Sequence, residues 1–304
     1  MQIDVVKKSV LSSDKRHMLS GIVYVPQGEI RGYFHVVHGM TEHIARYNDF
    51  MRHIASQGFI CFGYDNLGHG NTANNTDELG FIAEADGWKY LIADVAEFSN
   101  AVRKDYGEDK PYYLMGHSMG SFIARNAAVY SVNPKKLVVM GTGGPRPESV
   151  FGLAIIKIII ALKGKKHISD FLYKITFGSY TNRFSDTDPN CWLTKDEAVR
   201  KKYSQDPFCN FKFTAGAMYD LIKLNMRANS REWFNKAAGK MPILLVSGAD
   251  DPVGAYGKGV KKVFDRLKKH GADVNMILYE NCRHEILNDG SAVKVTQDIL
   301  DFIK

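Results

Sequence analysis

Short apolar runs alternate along the chain with longer stretches in which apolar residues recur every three or four positions. The first 25 residues read as a hairpin, with IDVVKKSVL and MLSGIVYV flanking the polar segment SSDKRH. Beyond it, YFHVVH (33–38), FICFGYD (59–65), YYLMG (112–116), KLVVMG (136–141), ILLVSG (243–248) and VNMILYE (274–280) are rich in Val, Ile, Leu and aromatics. Such runs are expected for strands covered on both faces. Residues 47–57, 87–106, 119–131, 256–270 and 290–303 are predicted helices. In 87–106, Tyr90, Leu91, Val95, Phe98 and Val102 share one face, and Gly107 ends the helix. Strand–helix alternation of this kind builds crossover units and a mostly parallel sheet flanked by helices.

The alternation stops at TGGPRP (142–147) and resumes where Pro242 opens ILLVSG. The stretch between them reads as an inserted helical cap. The expected division is a core of residues 1–145 and 239–304, with a cap or lid of residues 146–238. Of the Phe, Trp and Tyr residues, 14 fall in 145–240 and 21 in the remainder, a surplus that favours an apolar lining over a bare linker. Within this region VFGLAIIKIIIAL (150–162) is interrupted by Lys157. As a helix it reaches about 20 Å, against about 30 Å of bilayer hydrocarbon, so it does not span a membrane. Its basic tail KGKKH makes 150–166 suitable as a lid that touches a lipid surface transiently or walls an acyl channel; an ordinary buried cap helix is the other reading.

Composition narrows the class. An apolar fraction of 45% and a charged fraction of 24% are those of a globular chain long enough to hold together without metal or disulfide. The net charge of +7 is spread out. Its densest runs, LKGKKH and KKVFDRLKKHG, fit solvated helix faces, and no nucleic-acid motif accompanies them. Cys61, Cys191, Cys209 and Cys282 form no CxxC pair, and MQIDVVKKSVLSSDKRH has no apolar signal core. Free thiols in a reducing cytoplasm, with the protein at most peripheral to a membrane, are the expectation.

The chemistry centres on Gly116-His117-Ser118-Met119-Gly120, a GxSxG pentapeptide that follows one predicted strand and opens a helix. A turn this tight lifts the Ser118 hydroxyl to a helix N-terminus, where developing negative charge is favoured. An N-capping serine in an ordinary turn is the plainer alternative. A serine nucleophile needs a base and an acid, each just past a later strand. His284, after VNMILYE, is the base candidate; Asp250 and Asp251 follow ILLVSG. The GxxD frame from Gly248 and the Pro at 252 select Asp251, leaving Asp250 as a helix cap or hydrogen-bonding neighbour. An oxyanion hole would take the backbone N–H of Met119 and that of Met40 in His38-Gly39-Met40, unless HG is merely a strand-end turn. Met40, Met115, Met119 and Met218 are candidates for an adaptable apolar lining, with Met115 better suited to the core. Glu42, His43 and His117 are expected to be structural.

YFHVVHGMTEHIARY, YDNLGHG, LMGHSMG, VSGADDPV and CRHEIL together resemble the α/β-hydrolase superfamily, and within it the monoacylglycerol lipase and lysophospholipase branch grouped with serine aminopeptidases. HGxxEHxxRY (38–47) is the narrowest of these signatures. The resemblance implies an α/β-hydrolase fold with a cap. It also implies Ser118 as nucleophile, Asp251 as acid, His284 as base, and Met40 and Met119 as oxyanion donors. Asn71 follows GHG where many relatives carry a nearby Ser, a departure in a turn that looks structural. The implied activity is hydrolysis of a lipid ester by an acyl-enzyme route that requires neither metal nor organic cofactor. Alternatives are an aminopeptidase using Asp186, Asp188, Asp196 or Glu197 to hold a substrate ammonium, a general soluble-ester carboxylesterase, and a small-molecule receptor on a hydrolase fold.

Overall fold

The computed structural model describes residues 2–304. In chain order the elements are β1 (Ile3–Leu11), β2 (Met18–Pro26), β3 (Gly32–Val37), α1 (Asn48–Ser56), β4 (Phe59–Tyr64), α2 (Gly87–Tyr106), β5 (Tyr112–His117), α3 (Met119–Tyr130) and β6 (Lys136–Met140). Five helices follow: α4 (Ser149–Lys163), α5 (Asp170–Phe177), α6 (Glu197–Gln205), α7 (Ala215–Ala228) and α8 (Arg231–Ala237). The chain returns to the sheet with β7 (Ile243–Gly248), α9 (Lys258–Lys269), β8 (Val274–Tyr279) and α10 (Ala292–Ile303).

One eight-stranded sheet has the order β1-β2-β4-β3-β5-β6-β7-β8. The hairpin β1–β2 and the pair β2–β4 are antiparallel, and every other pair is parallel. β3, β4, β5 and β7 are buried at every residue, which is why their sequences are mostly apolar instead of alternating, with His35, His117 and Ser247 as the polar exceptions. Their side chains still divide by the pleat. Tyr33, Val37, Tyr112, Leu114, Ile243 and Leu245 join the core beneath α2, α3 and α9. Phe34, Val36, Tyr113, Met115, Leu244 and Val246 join the opposite core with α1 and α10.

Helix α9 starts two residues later than predicted, because Ala255, Tyr256 and Gly257 have φ of 51°, 55° and 78°, a left-handed run that no α-helix accommodates. The inserted helices differ in footing. Trp233 and Phe234 of α8 are fully buried, and Trp233 donates its indole N–H to the Arg125 carbonyl at 2.7 Å, tying α8 to α3. Helix α4 buries only Ile156. Phe151, Ile158 and Leu162 are 76%, 60% and 78% exposed, so α4 is not the buried cap helix of the plainer reading. Among the described residues no helix is long and apolar enough to cross a membrane, and the four cysteines are free and buried.

Candidate active site

Ser118 sits between β5 and α3 with φ 53° and ψ −120°, a conformation that costs an L-residue about 1–3 kcal/mol. The glycines on either side explain how it is reached. A Cβ on Gly116 would lie 2.1 Å from the Gly120 carbonyl oxygen. One on Gly120 would lie 2.1 Å from that of Val37 and 2.4 Å from that of His38. The start of α3 is thus pressed against the end of β3, and only glycine fits the seam.

Asp251 and His284 meet as the sequence order suggests. His284 Nδ1 lies 3.0 Å from Asp251 Oδ2, while Asp251 Oδ1 accepts the Val253 amide at 2.8 Å. Burial acts to raise the Asp251 carboxyl, but the His284 ring beside it and the Val253 amide bring it below the ordinary carboxylate value. Facing a carboxylate, Nδ1 carries the ring proton and Nε2 is left as an acceptor. Asp250, half-exposed, turns to Lys195 at 3.4 Å while Asp251 is buried; the N-cap of α9 is Gly257, which corrects the helix-cap alternative for Asp250. Ser118 Oγ makes no hydrogen bond to His284. The two side chains face the same cavity, and such contacts are commonly long before substrate arrives.

Both proposed oxyanion amides are free of acceptors among the described residues. Met119 opens α3, where the first N–H groups have no intrahelical partner. The Met40 loop is held from behind by two histidines. His38 Nδ1–H donates to the Gly39 carbonyl at 2.8 Å, and its Nε2 accepts the Asn66 amide at 2.9 Å. His69 Nδ1–H donates to the Leu67 carbonyl at 2.9 Å, and its Nε2 accepts the Thr41 amide at 3.2 Å. Burial drops His38 to about 4 and His69 to about 3, so both are neutral acceptors. The YDNLGHG turn is therefore the scaffold of the neighbouring loop. Asp65 in it takes the amides of Ile44 and Asn71, each at 2.8 Å, so Asn71 contributes backbone alone.

The HGxxEHxxRY signature acquires a physical meaning that spacing did not supply. Glu42 accepts the Gly39 amide at 2.6 Å, the Tyr47 hydroxyl at 2.9 Å and Arg46 at 2.7 Å. Arg46 reaches on to Glu285 with two bonds of 2.7 and 2.8 Å. His117 Nδ1 lies 2.7 Å from Tyr47 Oη and 3.3 Å from Glu42 Oε1, and its Nε2 lies 3.3 Å from the His284 carbonyl. Burial disfavours the imidazolium, yet the Glu42 contact and the Glu285 charge lift His117 above its ordinary value. This buried cluster joins the β3 loop, the elbow and the His284 loop. Glu42 and His117 were expected to be structural; their partners were not foreseen.

Met40, Ser118, Met119 and His284 line one cavity of about 700 Å³, with Phe122, Phe151, Ile155, Phe177, Trp192 and Leu221 among its apolar walls. Met218 is not among them. It is 1% exposed, on the face of α7 that packs into the core, which corrects its assignment to the lining; Met115 is core as expected. The carboxylates considered for holding an ammonium are also elsewhere. Asp186 and Asp188 pair with Arg200 at 2.7 and 2.8 Å, Asp196 caps α6, and neither Asp196 nor Glu197 reaches the cavity.

A family model described as serine aminopeptidase, S33, matches residues 28–291. A monoacylglycerol lipase of Mycolicibacterium smegmatis is 24% identical over 97% of this chain and 98% of its own length. A monoglyceride lipase homolog of monkeypox virus is 31% identical over 85% of this chain and 83% of its own. The chain spans only 28% of a further relative, an uncharacterized abhydrolase domain-containing protein of Dictyostelium discoideum. Among solved structures, a thermostable carboxyl esterase of Bacillus coagulans in complex with glycerol superposes with a TM-score of 0.93 at 29% identity, covering 99% of this chain and 98% of that one. By its match to the family model over most of its length and its likeness to these relatives, the chain belongs to the serine aminopeptidase S33 family of α/β-hydrolases, in the monoglyceride-lipase-like branch.

Proposed function

We propose that the protein is a serine hydrolase that cleaves the carboxylic ester of a single-chain lipid, a monoacylglycerol ahead of a lysophospholipid, through an acyl-enzyme. The observation that carries this reading is the composition of the cavity: a serine, an aspartate-backed imidazole and two acceptor-free amides share a space walled by aromatic and aliphatic side chains. His284 Nε2 takes the Ser118 proton as the hydroxyl attacks the acyl carbonyl, and Asp251 stabilises the imidazolium that forms. The Met40 and Met119 amides receive the oxyanion, each contributing about 3 kcal/mol in the transition state. His284 then protonates the leaving alcohol, and water, activated by the same ring, releases the acid.

Two further observations favour a lipid. Val150, Phe151, Ile158, Leu162, Ile168 and Phe171 are exposed on α4, α5 and their connection, next to lysines at 157, 163, 165 and 166, a combination suited to transient seating on an anionic lipid surface. The names of two relatives, a monoacylglycerol lipase and a monoglyceride lipase homolog, support proposing that substrate ahead of a phospholipid. The aminopeptidase reading lacks an ammonium-holding carboxylate among the residues considered for it.

The test is a panel of monoacylglycerols and lysophospholipids of graded chain length, with a prolyl-arylamide and a soluble short-chain nitrophenyl ester, assayed above and below aggregation. Preferential monoacylglycerol turnover that rises on aggregation supports the reading. Faster amide cleavage, or activity confined to the soluble ester, overturns it.

A further inference from the structure

Away from the cavity wall, three metal-ligating side chains converge where the β3 loop meets the end of α6. His43 Nε2 lies 2.9 Å from Asp206 Oδ2, and one donor atom each from His43, Asp206 and Cys209 all fall within 4.8 Å of one another. We propose that His43, Asp206 and Cys209 form a binding site for one borderline-soft divalent cation, of which Zn²⁺ is the best match.

The donor set selects the class. One imidazole nitrogen, one carboxylate oxygen and one thiolate suit Zn²⁺ or Co²⁺ and disfavour Mg²⁺ and Ca²⁺, which take oxygen ligands. Tetrahedral zinc with bonds of about 2.0–2.3 Å sets its ligands about 3.3–3.8 Å apart, so the His43–Asp206 pair at 2.9 Å must open by about 0.4 Å while donor separations of up to 4.8 Å close by at most about 1 Å. Two of them are ordered beforehand. Asp206 Oδ1 accepts the Phe208 amide at 2.8 Å, and the Cys209 amide donates to the Asp206 carbonyl at 3.0 Å, so one turn fixes both ligands and holds one carboxylate oxygen back.

Charge balance is met as well. A dication against one carboxylate and one thiolate leaves the site neutral. The nearby guanidinium of Arg46 is already engaged by Glu42 and Glu285. Loading forms metal–nitrogen, metal–oxygen and metal–sulfur bonds and breaks the Cys209 S–H bond, releasing that proton to solvent; the ring proton of His43, which faces Asp206 from Nε2 in the empty site, exchanges through solvent to Nδ1, so that Nε2 is free to ligate and the ring stays neutral. Cys209 is buried while Asp206 is 30% exposed, which gives an ion a way in and leaves the fourth position to water.

The site would clamp the loop that carries Gly39 and Met40 to the inserted helices. That junction is already sewn by Asn210 N–H to the Thr41 carbonyl at 3.1 Å and by Tyr203 Oη to Thr41 Oγ1 at 2.9 Å. Asn210, next to Cys209 in the chain, lines the cavity, so a bound ion would brace the cavity wall.

The experiment titrates the chelator-treated full chain with Co²⁺ and follows absorption, with thermal unfolding midpoints of each form. A sulfur-to-cobalt charge-transfer band that saturates at one equivalent, is displaced by Zn²⁺, vanishes in Cys209→Ser and weakens in His43→Gln is expected, along with a Zn²⁺-dependent rise in midpoint for the unaltered chain only. Absence of the band, its persistence in Cys209→Ser, or Co²⁺ binding without sulfur ligation overturns the site and leaves His43–Asp206 as a plain clasp. No ester is turned over in this measurement, so its outcome is independent of the proposed activity.

Discussion

The Asp251 carboxylate holds His284 Nδ1 at 3.0 Å in surroundings that leave the two side chains 0% and 2% exposed. Replacing one carboxylate oxygen by an amide group allows the wrong ring tautomer, with Nε2 protonated and unable to act as a base. Asp251→Asn is expected to lower kcat by about 10³–10⁴-fold while far-UV circular dichroism is unchanged. Steady-state hydrolysis of a soluble nitrophenyl ester checks it, and a loss below about tenfold would contradict the assignment.

Arg46 pairs with both Glu42 and Glu285, and among the described residues no other guanidinium does. Arg46→Ala strands two buried carboxylates and is expected to cost about 3–5 kcal/mol of stability. It should also loosen the Gly39 amide from Glu42. Urea unfolding measures the first effect and ester turnover the second.

How much of this was legible beforehand follows from where the partners lie in the chain. Strands such as β3 and β7 announced themselves because burial on both faces favours a mostly apolar run without polar alternation. The placement of Ser118, Asp251 and His284 near one another was readable because each lies just past the end of a strand, β5, β7 or β8, and the sheet topology brings those ends to one side. The Glu42–Arg46–Glu285–His117 cluster was not, since Arg46 and Glu285 are 239 positions apart and neither carries a local signature for the other. Met218 misled because its helix, α7, shows apolar residues toward both cavity and core, and periodicity does not say which face is which.

Asp220 provides a pH prediction. Burial on α7 raises its carboxyl to about 7, only partly opposed by the Trp88 amide. A folded-state value above the unfolded one means that the folded chain retains a proton that the unfolded chain has lost. The associated stability is complete below about pH 4 and is lost as pH climbs through about 7, amounting to about 2–4 kcal/mol. Asp220→Asn should therefore be more stable than the unaltered chain at pH 8 and gain nothing at pH 4, as judged by urea midpoints at the two values.

The exposed side of α4 can be tested apart from catalysis. Ile158 and Leu162 are 60% and 78% exposed and do not line the cavity. Ile158→Glu combined with Leu162→Glu is expected to weaken partitioning to anionic vesicles by at least about tenfold, since each buried aliphatic side chain contributes about 1.5–3 kcal/mol. Turnover of a soluble short-chain ester should be unchanged. Undiminished vesicle binding would remove α4 from the lipid-facing surface.

The most direct measurement is covalent labelling with a fluorophosphonate, read by intact mass and peptide mapping. One adduct is predicted, on the Ser118 hydroxyl, absent in Ser118→Ala and greatly slowed in His284→Gln. An unaltered chain that acquires no adduct, or a Ser118→Ala chain that acquires an undiminished one, would mean that this alcohol is not the group the imidazole activates.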